Sequence, residues 1–148
     1  MDQITIFTDG SSKGNPGPGG FGAIVIFEGE VAELGGREEH TTNNRMEMAA
    51  VIAGLAWIRK NVPEVQECTV YSDSSLVIQT LLQGWKRKKN LDLWEKIDNV
   101  RKEFKKISWE WVRGHNGHPQ NTEADSVAVK EAKRYQRMGK EAPTSFEV

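Results

Sequence analysis

Apolar residues along this chain recur first at every second position and then at every third or fourth. Ile4, Ile6 and Phe7 lie in a β-branched stretch, residues 4–8, that ends at the turn pair Asp9-Gly10, which predicts a short buried strand. The apolar run 21–27 predicts a second strand, Glu28-Gly29-Glu30 a tight hairpin, and residues 31–37 a returning third strand. Between the first two strands, the glycine- and proline-rich segment 14–20 reads as loop. The period then lengthens. Met48, Val51, Ile52, Leu55 and Ile58 fall at helical spacing and predict an amphipathic helix over 44–60, with Asn44 and Glu47 spaced as a capping box and Val62-Pro63 closing it. Residues 68–72 predict a fourth strand, reached through that helix and therefore parallel to an earlier one. A short helix over 74–82 follows, then a third helix marked by Leu93, Ile97, Val100 and Phe104. A fifth strand over 107–112, a loop over 113–119 and a last helix over 121–138 complete the reading. The order β-β-β-α-β-α-α-β-α predicts an α/β chain: a mixed five-stranded sheet, its first three strands antiparallel, with helices on both faces. We expect one domain over residues 1–138 and a flexible tail over 139–148.

Composition narrows the class. A chain of 148 residues fits one domain with a substantial core, and 37% hydrophobic with 28% charged residues exclude a disordered chain. No apolar run approaches the ~20 residues of a membrane-spanning helix, and the N-terminus has no basic-then-apolar leader, so a cytoplasmic protein is expected. A single cysteine, Cys68, excludes an intramolecular disulfide, and with three histidines argues against a cysteine-rich zinc site. The net charge of −1 does not by itself favour nucleic acid as a partner, but the charges are unevenly distributed. Residues 85–106 carry nine basic and four acidic side chains, which leaves the rest of the chain acidic. A solvated, salt-bridged helix face is the plain reading of such a run. The density of Trp85, Lys86, Arg87, Lys88 and Lys89 favours a stripe that holds a polyanion.

Four carboxylates stand at informative places. Asp9 follows the first strand, Asp73 follows the fourth, Glu47 lies in the first turn of the first long helix, and Asp125 near the start of the last. Were strands one and four parallel neighbours, Asp9 and Asp73 would leave adjacent carboxyl ends, the rim where open α/β sheets place ligands. Each also has a bland role: Asp9 a turn residue, Glu47 the acidic arm of a capping box, Asp73 an N-cap, Asp125 an acid favoured by a helix N-terminus. Clustered carboxylates repel unless a cation joins them, and an all-oxygen donor set suits Mg²⁺ or Mn²⁺ rather than Zn²⁺. His115, between Gly114 and Asn116, is either an exposed loop histidine or a mobile proton carrier beside such a centre.

The blocks Thr8-Asp9-Gly10-Ser11, Thr41-Thr42-Asn43-Asn44-Arg45-Met46-Glu47, Tyr71-Ser72-Asp73-Ser74 and Gly114-His115-Asn116-Gly117-His118-Pro119, in this order, resemble type 1 ribonuclease H, the bacterial ribonuclease HI family. The likeness runs from about residue 4 to about residue 132. It implies a ribonuclease H-like fold and endonucleolytic cleavage of the RNA strand in an RNA–DNA hybrid. By family position Asp9, Glu47, Asp73 and Asp125 are the metal-binding catalytic carboxylates and His115 assists turnover. Asn15, Asn43, Asn44 and Gln79 fall where the family contacts the hybrid's minor groove, Ser12 and Ser75 at neighbouring contact positions, and Thr42 where a phosphate of the DNA strand binds. The chain departs from well-studied bacterial members after its second helix. The basic protrusion is shortened by roughly a helical turn or more, taking ~3.6 residues per turn, which leaves Trp85 to Lys89 to carry its role.

The expected chemistry is phosphodiester hydrolysis by two divalent metals, Mg²⁺ or Mn²⁺, leaving 5′-phosphate and 3′-hydroxyl ends. Asp9 is expected to bridge the ions, with Glu47 and Asp73 on the first and Asp125 chiefly on the second. Amide and hydroxyl side chains can both donate to and accept from a ribose 2′-hydroxyl, which suits a monomer that selects RNA by sugar and not by base. The alternatives are a catalytically silent nucleic-acid-binding module and another nuclease of the same fold, such as a resolvase or transposase core.

Overall fold

The computed structural model describes residues 4–28 and 30–112. Eight elements follow in order: β1 (Ile4–Ser12), β2 (Gly17–Phe27), β3 (Glu30–Thr41), α1 (Asn43–Asn61), β4 (Glu67–Ser72), α2 (Ser75–Gln83), α3 (Leu91–Arg101) and β5 (Lys106–Trp111). The strands form one sheet in the order β3-β2-β1-β4-β5. β1 pairs antiparallel with β2 from Ile4 opposite Phe27 to Ser12 opposite Gly19, and β2 pairs antiparallel with β3. β1 and β4 are parallel, Ile4 opposite Cys68 through Thr8 opposite Ser72, and β5 extends the parallel half. The crossover through α1 thus places the ends of β1 and β4 side by side, as the sequence order requires.

Burial explains the layering. Ile4 and Ile6 point to the side of the sheet where α1 lays down Val51, Ile52, Leu55 and Ile58, all fully buried in one core with Val70, Val77, Leu93 and Ile97. Each such side chain contributes about 1.5–3 kcal/mol by leaving water. All three described helices pack into this core. Phe7 and Ile24 lie on the opposite face with Ile26 and Tyr71, and the Phe7 and Tyr71 rings stack at 4.8 Å. The helix expected over 121–138 and the tail over 139–148 lie outside the described residues.

Several boundaries differ from the sequence pattern, for local reasons. β1 runs on to Ser12 because β2 begins at Gly17, so half of the glycine-proline segment is strand and Asp9 sits within β1 instead of closing it. Pairing slips between Gly17 and Gly19, at Pro18, which has no N–H to give a ladder. The hairpin turns at Glu28, whose φ of 52° is the left-handed conformation that two-residue hairpin loops demand. Thr42, and not Asn44, caps α1: its hydroxyl accepts from the Arg45 N–H at 3.2 Å. Likewise Ser74, and not Asp73, caps α2 by accepting from Val77 N–H. Glu47 and Asp73 are thereby free of the capping duties that the sequence allowed them. No described helix is long and apolar enough to cross a membrane.

Candidate active site

The parallel register of β1 and β4 ends at Thr8 opposite Ser72. Past that point the side of β1 that faced β4 has no strand to bond, and the Gly10 N–H is satisfied by side chains instead: it donates to Asp9 Oδ1 at 2.8 Å and to Glu47 Oε1 at 3.1 Å. α1 can come this close only because residue 10 has no Cβ. One built there would lie 2.3 Å from the Met46 carbonyl carbon and 2.4 Å from the Glu47 nitrogen. Asp73 follows β4 in a pinned bend. The Ser74 N–H donates to Ser72 Oγ at 3.0 Å, and the Trp111 indole N–H donates to the Asp73 carbonyl at 3.3 Å.

These three elements bring Asp9, Glu47 and Asp73 together, with one carboxylate oxygen of each inside 4.8 Å of the others. Asp9 is 2% and Glu47 7% exposed, so two of the three charges are taken from water. Burial foremost, reinforced by the charge of Asp73, pushes the Glu47 carboxyl up to about 8 against the opposing hydrogen bonds of Asp9 and Gly10. Its Oε2 is buried without a hydrogen-bond partner among the described residues. An oxygen-only donor set, crowded carboxyl groups and an orphaned buried acceptor together fit a divalent cation. Asp125 and His115 lie outside the described residues.

The contact residues expected from the sequence lie at the end of β1, in the β1–β2 connection, at the start of α1 and on α2. Asn15, Asn43, Asn44 and Ser75 are exposed, and Ser12, Thr42 and Gln79 half-buried. Asn43 Oδ1 accepts from the Ser12 N–H at 2.7 Å and the Ser12 hydroxyl at 3.1 Å, while Asn15 Oδ1 accepts from the Asn43 N–H at 3.1 Å. The β1–β2 connection and the start of α1 are thus laced into one surface. Gln79 accepts at Oε1 from Gln83. The basic segment 84–90 carries no helix; Trp85, Lys86, Lys88 and Lys89 are exposed, and with Asn44 and Leu76 the lysines line a groove of about 250 Å³. Arg87 departs from the group. Its guanidinium pairs with Asp98 and lies 4.5 Å over the Trp94 ring, so it is spent on anchoring the segment to α3.

Sequence reasoning also passed over Arg45. Its guanidinium grips Asp92 at 3.0 and 2.7 Å and donates to Asn90 Oδ1 at 3.2 Å. The pair holds the Asp92 carboxyl down to about 2. Only its place inside the conspicuous block 41–47 could have singled it out.

The RNase H family model matches residues 1–133 of this sequence. The chain belongs to the ribonuclease H family. It is 44% identical over 141 residues to ribonuclease H of Cupriavidus metallidurans, covering 86% of this chain and 94% of that one. It is 44% identical over 141 residues to the Bradyrhizobium sp. ribonuclease H, covering 86% and 88%. Among solved structures it resembles the N-terminal RNase H domain of a Mycobacterium tuberculosis protein, with TM-score 0.82, 32% identity and coverage of 93% and 99%. It also resembles LC11-RNase H1 in complex with an RNA/DNA hybrid, with TM-score 0.78, 25% identity and coverage of 90% and 99%. The mixed five-stranded sheet is the one expected from the order of elements in the sequence.

Proposed function

We propose that this protein is an endonuclease that hydrolyses the RNA strand of RNA–DNA hybrids with two divalent cations, Mg²⁺ or Mn²⁺, leaving 5′-phosphate and 3′-hydroxyl ends. The observation that carries the reading is the meeting of Asp9, Glu47 and Asp73 within 4.8 Å in a ribonuclease H chain. Asp9, Glu47, Asp73 and, by family position, Asp125 would hold the ions. Bound there, they would supply a nucleophilic water and charge neutralisation at the leaving oxygen.

The chain's own residues do the rest. The Gly10 N–H fixes Asp9 and Glu47 relative to each other, so the donor set is preorganised and not gathered by the ligand. Burial of these oxygens keeps bulk water from screening them. His115 is assigned the proton carried to or from the departing product. Asn15, Asn43, Asn44 and Gln79, with Ser12 and Ser75 beside them, read the sugar edge of the minor groove, where the 2′-hydroxyl separates RNA from DNA. Thr42 and the lysines at 86, 88 and 89 meet phosphates, with Trp85 beside them as an exposed apolar surface.

The test is cleavage of an end-labelled RNA–DNA hybrid, single-stranded RNA and duplex DNA, each with Mg²⁺, with Mn²⁺ and with excess chelator. Cleavage of the RNA strand of the hybrid alone, and only with metal, is the expected result. Cleavage in chelator, or equal attack on duplex DNA, overturns the reading; hybrid binding without cleavage marks a silent binding module instead.

A further inference from the structure

Arg45 has no part in the chemistry assigned above, yet it joins two pieces of the site that the chain brings from far apart. It stands in the first turn of α1, three residues after the Thr42 cap and two before Glu47. Its guanidinium makes a bidentate pair with Asp92, in the first turn of α3, and a third bond to the side chain of Asn90. Asn90 is the last residue of the basic segment and sits at φ 58°, where the chain must turn before α3 can begin. In the middle of the segment Arg87 is tied to Asp98 and Trp94. A seven-residue stretch that has no helix of its own is therefore fastened to the body in two places, and only one of these fastenings reaches the helix that carries Glu47. The exposure of the Arg45–Asp92 pair, 28% and 61%, argues against stability as its main product, because exposed pairs add little to folding. A planar, two-pronged pair instead fixes direction.

We propose that Arg45 is a positioning residue, which locks the basic segment 84–90 to the amino end of α1 so that a strand held by the lysines enters at one fixed offset from the acidic cluster. The groove supports this. Asn44, next to Arg45, lines the same cleft as Lys86, Lys88 and Lys89, and so does Asn90, whose side chain Arg45 holds. Losing the clasp removes no group that touches substrate but frees the lysines to hold the strand in several registers. The inference rests on the hybrid-nuclease reading above; wild-type cleavage of the hybrid with Mg²⁺ tests that reading separately, before any variant is compared.

The partner residue separates positioning from charge. Asp92 is an anion beside a polyanion site, so by electrostatics alone Asp92→Asn tightens hybrid binding. If Arg45 acts through Asp92, the same change weakens it. Arg45→Ala, Arg45→Lys, Asp92→Asn and the Arg45→Ala/Asp92→Asn double variant are assayed on one end-labelled hybrid for kcat, KM and the distribution of cut positions. Arg45→Lys keeps the charge and guards against a misfolded alanine variant, and thermal midpoints report the fold of each. We expect KM to rise roughly threefold or more in both single-site changes to Ala and Asn, with kcat within about twofold and the double variant no worse than the poorer single one. Cut positions spread to neighbouring phosphates, and Arg45→Lys falls between wild type and Arg45→Ala because an ammonium cannot grip both carboxylate oxygens. An unchanged or lowered KM for Asp92→Asn, or a wild-type cut pattern in every variant, overturns the proposal while leaving the nuclease reading intact.

Discussion

Replacing Asp9 by asparagine keeps the shape of the site and removes one of three crowded carboxyl groups. The amide oxygen can still accept from the Gly10 N–H, now made by Asp9 at 2.8 Å. At 4.8 Å and an effective dielectric of ~20, one pair of like charges repels by about 3 kcal/mol. Near neutral pH without metal, Glu47 is largely protonated, so the repulsion relieved is chiefly that between Asp9 and Asp73. Screening by solvent at half-buried Asp73 brings the net gain to about 1–3 kcal/mol. That corresponds to a thermal midpoint about 3–10 °C above wild type in chelator. At pH 9 Glu47 is ionised as well, and the advantage of the variant widens. Magnesium reverses the order: at about 100 times its dissociation constant it stabilises the wild type by ~2.7 kcal/mol, and a damaged site gains less. Cleavage by the variant falls by roughly a thousandfold or more. Thermal unfolding of both proteins at pH 7 and pH 9, in chelator and across a Mg²⁺ titration, measures all of this. An Asp9→Asn protein that is less stable than wild type in chelator and gains as much from Mg²⁺ would refute the picture of crowded carboxyl groups waiting for a cation.

Three further outcomes follow from the same geometry. The Glu47 carboxyl is raised in the fold, so its contribution is complete below the ordinary glutamate range of about 4.5 and is lost as pH climbs toward about 8; denaturant unfolding in chelator should show stability falling across that window, and saturating Mg²⁺ should flatten the fall. Gly10→Ala places a methyl group 2.3 Å from main-chain atoms of α1 and should cost about 1–3 kcal/mol or more in urea unfolding, with activity lost alongside because Glu47 is displaced. Changing Lys86, Lys88 and Lys89 to glutamine should weaken hybrid binding and lower the slope of log affinity against log salt by up to about 0.9 per lost phosphate contact, whereas Arg87→Gln should change the slope little, since its charge is already answered by Asp98.

The sequence made the sheet readable because its periods are plain. The apolar run 21–27 belongs to a central strand buried on both faces, the helical spacing from Met48 to Ile58 to a helix buried on one side, and both elements formed where expected. The segment 14–20 was misjudged because Gly and Pro forbid a helix but do not forbid a strand whose ladder slips at Pro18. The capping roles of Asn44 and Asp73 were plausible on local grounds alone; Thr42, two residues before Asn44, and Ser74, one residue after Asp73, took them. Asp9, Glu47 and Asp73 could be named as candidates from their places at element ends. Their approach, however, depends on the parallel register of β1 and β4 and on the missing Cβ of Gly10, which no spacing rule contains. Arg87 looked like its lysine neighbours until Asp98 and Trp94 were seen beneath it, and Arg45 gave no local sign of the two residues it holds, because both lie more than forty positions away.

The amide that sets Asp9 against Glu47 belongs to the main chain. A peptide N–H belongs to no side chain, yet α1 reaches this one only where position 10 has no Cβ, so the contact needs glycine there. The spacing of two acids is thus inherited through the backbone, and a designer who wished to retune it would have to move a strand or a helix, because no side chain there is available to trade.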